Sequence, residues 1–72
     1  MKQCYERLHD LREDHDLKQK DVAEILNTTQ QVYSRYEIGL NEIPIRHLVT
    51  LSKFYKVSTD YILGLTDNPN KS

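Results

Sequence analysis

The sequence holds a single cysteine, Cys4, so no internal disulfide can form. Small secreted domains of this size are commonly stapled by several disulfides, so a reducing cytosol is the expected compartment. No stretch approaches the roughly 18 apolar residues of a membrane span. The opening Met1-Lys-Gln-Cys-Tyr-Glu-Arg7 offers no apolar signal region either. Only two glycines and two prolines punctuate 72 residues, with no repeat, low-complexity stretch or internal linker. That composition excludes disordered and fibrous classes. The length suits one domain, which buries about 60% of the surface its unfolded chain exposes. One small core fits, and a separate domain for ligand or chemistry does not.

Positive charge is also scarce. The formal net charge is -1, which counts against nucleic-acid binding at first sight. The distribution of charge along the chain weakens that objection. Residues 28–56 carry Arg35, Arg46, Lys53 and Lys56 against Glu37 and Glu42, whereas residues 1–27 are net acidic. Reading DNA requires a local positive face and not a positive total. Few cations still mean few released counterions and modest non-specific affinity.

Chemistry-bearing clusters are missing as well. His9, His15 and His47 share no i, i+4 spacing, and there is no cysteine pair, so surface histidines are expected and no metal site. Ser34 has no visible base, orienter or oxyanion device, so no enzyme is expected and no cofactor. Cys4 reads as a small core filler, with a redox switch as the rarer alternative. The five tyrosines read as core or half-buried, because single-strand stacking would want them outward beside cations.

What remains is helical periodicity. Leu8 and Leu11, with Cys4 a turn earlier, mark a first helix from about Gln3 to Glu13. Its Glu6, Arg7, Asp10, Arg12 and Glu13 are expected to be mostly polar surface. Val22, Ala23 and Leu26 mark a second, from about Gln19 to Leu26. Asp16 with Gln19 and Lys18 with Asp21 both fit its capping box. Asn27 tolerates a left-handed backbone. Thr28 and Thr29 suit an N-cap, so a third helix is expected after a three-residue gap and to run to about Glu37. Gly39 stops it. Pro44 opens a fourth helix of about Ile45 to Lys56, with Leu48, Leu51 and Tyr55 as its buried stripe. Ser58 caps a short fifth helix that ends at Gly64, and 66–72 is expected to be a flexible polar tail.

The fold expected is therefore all-α, a compact five-helix bundle over 1–65. Two short helices joined by a tight turn, with the small Ala23 at their crossing, form a helix-turn-helix. The third helix divides by face. Tyr33 and Tyr36 reach the core; Gln30, Gln31, Ser34 and Arg35 lie opposite, with Val32 at the edge. Gln pairs bidentately with adenine, Arg with guanine, and Val meets a thymine methyl. An ordinary solvated helix face is the competing reading.

Gln19-Lys-Asp-Val-Ala-Glu-Ile-Leu-Asn-Thr-Thr-Gln-Gln-Val-Tyr-Ser-Arg-Tyr-Glu-Ile-Gly39 resembles the Cro/CI-type, or Xre-type, helix-turn-helix family. Thr28-Thr29-Gln30-Gln31 is similar to the recognition-helix start of lambdoid phage repressors. Ile43-Pro44-Ile45 and Tyr55-Lys-Val-Ser-Thr-Asp-Tyr-Ile-Leu-Gly64 resemble the family's last two helices. The likeness spans about residues 3 to 65. It implies a lambda-repressor-like fold and a regulator, in particular a repressor, that binds a double-stranded operator. Gln30, Gln31, Arg35 and Val32 would read bases. Gln19, Thr29, Ser34 and the amides after Gly39 would hold the DNA backbone, and Arg12 and Glu37 would form a structural ion pair. A bacterial or phage-encoded protein of the cytoplasm, nucleoid-associated when bound, is implied too. Three departures stand out: Asn27 for the usual Gly, Lys18 for a capping Thr or Ser, and Leu40-Asn41-Glu42 where Lys or Arg is common.

One such domain reads few base pairs, so a homodimer on an inverted repeat is expected. Val49, Phe54, Leu63 and Leu65, on the last two helices, are its expected contact surface. A protein-binding adaptor or antitoxin-type module of the same fold is the alternative, and the acidic loop favours it.

Overall fold

The structure is a computed structural model and describes residues 2–70. Five helices follow one another: α1 (Cys4–Asp14), α2 (Gln19–Ile25), α3 (Gln30–Glu37), α4 (Ile45–Tyr55) and α5 (Thr59–Leu63). No strand occurs among the described residues. The fold is all-α, as expected, and each helix appears within about one residue of its anticipated place.

The helix ends show the local chemistry. Lys18 opens α2: its N–H donates to Asp21 Oδ2 at 2.9 Å. Asp16 does not compete, because its backbone is left-handed at φ 54° and an N-cap needs extended geometry. The second helix stops at Ile25, and the connection to α3 is the four residues 26–29, one more than expected. Leu26 leaves the helix yet stays in the core. Asn27 takes the left-handed corner at φ 57°. Thr29 sits outside α3 and caps it, its Oγ1 accepting from the Val32 N–H at 3.2 Å. At the far end of α4, Lys56 adopts φ 59°, a left-handed stop that its residue type does not announce. Buried Ser52 ties that corner, donating to the Val57 carbonyl at 2.6 Å.

Core residues come from every helix: Leu8 and Leu11, Val22 and Ala23, Tyr33 and Tyr36, Leu48, Leu51 and Tyr55, and Ile62. The two α3 tyrosines meet edge-to-face, centroids 6.3 Å apart, an arrangement the ring quadrupoles favour. Burial of both rings sets the roll angle of α3. That roll decides which side of the helix remains outside.

Two side chains contradict the expectation of polar surface. Arg7 is buried, its guanidinium 4.0 Å from the Tyr61 ring centroid and donating to Asp67 Oδ1 at 3.1 Å. His47 is buried as well, 6.2 Å from the Tyr36 ring. Long or amphipathic side chains pack their bodies inward where a helix face is crowded by neighbours. After α5, the Ser58 N–H donates to the Pro69 carbonyl at 3.0 Å, which lays residues 66–70 beside the domain. Residues 71 and 72 of the expected tail lie outside the described residues.

Candidate nucleic-acid interface

The outward face of α3 follows from that roll. Gln30, Gln31 and Arg35 are exposed, Val32 and Ser34 are half-buried, and Thr29 is exposed at the helix start. Two carboxamides and one guanidinium thus share the solvent side of an eight-residue helix. Such a set can donate and accept in pairs along a row of base edges. Lys18 and Lys20, at the start of α2, add positive charge.

The fold brings Arg12, Gln19 and Glu37 together from three helices. Arg12 Nε donates to Glu37 Oε2 at 2.7 Å and Arg12 Nη2 to Glu37 Oε1 at 3.2 Å, a bidentate fork. Arg12 Nη1 also donates to the Leu17 carbonyl at 2.9 Å. Gln19 Nε2 donates to Glu37 Oε1 at 3.3 Å. The Glu37 carboxylate is almost fully dry at 2% side-chain exposure, and Arg12 is at 12%. Hydrogen bonding to Glu37 holds the Arg12 guanidinium above its ordinary pKa. Burial, and then the same carboxylate, pushes the Tyr33 phenol far up. Burial first and Glu37 second push Tyr55 up to about 12. The neighbourhood therefore holds one buried negative charge, satisfied chiefly by Arg12. The Gln19 contact was not legible in the sequence, because the two residues are 18 positions apart and on separate helices.

The loop after Gly39 is more constrained than the sequence suggests. Gly39 N–H donates to the Tyr36 carbonyl at 3.3 Å, and the Leu40 and Asn41 N–H groups both donate to the Arg35 carbonyl. These three amides are already engaged in ending α3. Among the described residues, the Glu42 and Ile43 amides are the first in the loop without a backbone partner. Glu42 itself is exposed, so a carboxylate stands beside them. Ile38, Leu40 and Ile45 flank the loop as exposed apolar side chains.

Other candidates fall elsewhere. Cys4 is half-buried beside an open cavity of about 260 Å³ that Tyr5, Leu8, Tyr36, Gly39 and Ile43 also line. Burial raises its thiol pKa, which disfavours the thiolate that redox chemistry needs. Among the described residues no group of three or more His, Cys, Asp or Glu side chains could hold a metal. No described helix is long and apolar enough to cross a membrane. Val49, Phe54, Leu63 and Leu65 are exposed along α4 and the end of α5.

Comparison with known proteins places this geometry. A helix-turn-helix family model matches residues 8–62. The chain is 42% identical over 65 residues to YobD of Bacillus subtilis, an uncharacterised HTH-type transcriptional regulator, covering 90% of this chain and 58% of that protein. It is 36% identical over 66 residues to the HTH-type transcriptional regulator ImmR of the same organism, covering 92% and 52%. The chain thus spans little more than half the length of these curated relatives. A transcriptional regulator from Listeria innocua superimposes with a TM-score of 0.83 at 31% identity, covering 86% of this chain and 58% of that one. The P22 c2 repressor, solved with a synthetic operator, superimposes at 0.79 and 24% identity, covering 88% and 96%; that likeness concerns the fold. With the family model spanning most of the sequence and the lambda-repressor-like arrangement of five helices, the chain belongs to the helix-turn-helix family of the Xre, or Cro/CI, type.

Proposed function

We propose that the chain is a DNA-binding transcriptional regulator that reads the major groove of an operator with α3 and represses by occupying it. The observation that carries this reading is the division of α3: Tyr33 and Tyr36 clamp it to the core while Gln30, Gln31 and Arg35 stand in solvent. Gln30 and Gln31 suit adenine edges and Arg35 a guanine, with Val32 beside a thymine methyl. Gln19, Thr29, Ser34 and the loop that begins at Gly39 hold the sugar-phosphate backbone on either side. In that loop, the Glu42 and Ile43 amides are the available donors. The relatives are regulators by name, and the P22 protein takes an operator, which supports DNA as the partner.

The active species is a homodimer on an inverted repeat, its half-sites about 10–10.5 base pairs apart. Val49, Phe54, Leu63 and Leu65 supply the apolar contact. The protein works in the cytoplasm, at the nucleoid when bound, and the task calls for neither catalysis nor a cofactor.

Selection from a random duplex library tests the reading. The wild type is expected to enrich an inverted repeat. A Gln30→Ala/Gln31→Ala/Arg35→Ala variant, shown folded by circular dichroism, is expected to enrich nothing. If neither chain enriches a site, groove reading fails and the adaptor alternative takes its place. Sedimentation with and without the selected duplex tests the dimer; a monomer in both refutes it.

A further inference from the structure

The ion pair between α1 and α3 has a third participant. Glu37 Oε1 accepts from Arg12 Nη2 at 3.2 Å and also from Gln19 Nε2 at 3.3 Å. Gln19 opens α2, and Arg12 Nη1 grips the Leu17 carbonyl two residues earlier in the chain, at 2.9 Å. One buried charge pair therefore touches both the approach to α2 and the side chain of its first residue.

We infer that Glu37 is a positioning residue for DNA binding: its carboxylate fixes which end of the Gln19 carboxamide turns inward, and so which hydrogen-bonding edge Gln19 offers a phosphate. This rests on the proposed role of Gln19 as a backbone contact. A carboxylate can only accept, so only the NH₂ end of the amide can face it. A free carboxamide presents either end at similar cost. Phosphate oxygens also only accept, and an amide that shows them its oxygen repels them. Nε2 carries two protons; Glu37 takes one and leaves the other for the phosphate. Fixing the side chain before DNA arrives lowers the ordering cost of binding. Because Glu37 is dry and held by a bidentate guanidinium, it is itself a rigid reference for the amide.

The test uses the whole chain and a duplex enriched from the random library. Arg12→Met/Glu37→Met replaces the pair by apolar side chains, an exchange that folds often tolerate. Its affinity is expected to fall about tenfold per subunit, the scale of one hydrogen bond to a charged group. Gln19→Ala is expected to cost a similar factor in the wild type and nothing further in the pair-replaced chain. Full affinity in the pair-replaced chain, with Gln19→Ala equally costly in both backgrounds, overturns the inference. If that chain does not fold, NMR of the DNA-free wild type decides. One Gln19 side-chain amide proton is then expected to exchange severalfold more slowly than those of exposed Gln30 and Gln31, and equal rates overturn the assignment. A wild type that binds no duplex at all overturns groove reading itself, whereas missing coupling in a chain that binds overturns only the role of Glu37.

Discussion

Gly39 and Gly64 form a natural experiment, because their backbones match and their surroundings do not. Both are left-handed, at φ 79° and 81°. A side chain in that region costs about 1–2 kcal/mol. At Gly39, an added Cβ would come within 3.0 Å of a Tyr5 ring carbon. Tyr5 is partly exposed, so its ring can tilt away. At Gly64, the same Cβ would lie 2.0 Å from the Lys2 carbonyl oxygen. Backbone cannot yield so cheaply, and the N-terminal segment must lift off α5. Overpacking of that kind adds about 1–3 kcal/mol. Gly39→Ala should therefore cost about 1–2 kcal/mol and Gly64→Ala about 2–5 kcal/mol. A domain of this length has about 4–11 kcal/mol in total. With about 4–8 °C per kcal/mol at this size, Gly64→Ala should melt about 8–40 °C lower and Gly39→Ala about 4–16 °C lower. Thermal melts followed by circular dichroism, with urea midpoints at constant m-value, measure both. Equal losses at the two positions would refute the reasoning, because left-handed strain alone would then account for everything.

Removing Arg12 alone, as Arg12→Met, strands the Glu37 carboxylate in a dry site and should cost about 3–5 kcal/mol. Arg12→Met/Glu37→Met should recover most of that loss in urea titrations, and a double variant as unstable as the single one contradicts the account. His47 gives a pH signature. Burial, and then the neighbouring Arg46, holds its pKa below the ordinary 6.5. The unfolded chain then takes up a proton before the folded one does, so unfolding is favoured as pH falls. The stability linked to His47 is complete above about pH 6.5 and is lost as pH drops through the depressed folded value. Melting temperatures between pH 7.5 and 5.5 should decline more steeply for the wild type than for His47→Gln; parallel slopes refute the assignment.

Much of the architecture can be read from single residues. Leu8 and Leu11, Val22 and Ala23, and Leu48, Leu51 and Tyr55 recur at helical spacing, and a helix that must bury one stripe has little other choice. Thr29, Asn27, Gly39 and Gly64 mark ends and corners because their backbone and capping preferences are local. Lys56 is the counterexample: its left-handed stop comes from the packing of Val57 and the Ser52 hydrogen bond, which no propensity of lysine announces. Arg7 and His47 show the same limit, since burial of a polar residue depends on what another helix places above it.

The helix inventory and the tight turn between α2 and α3 follow from residue order alone, because capping, corner and periodicity preferences act within a few residues; the spacing of Tyr33 and Tyr36 marks which α3 face goes inward. Packing between elements settles the rest: Gln19 shares a carboxylate with Arg12, and Lys2 crowds Gly64. Those facts depend on distances between helices, and such distances come from how side chains of different elements interlock, which spacing along one chain does not encode.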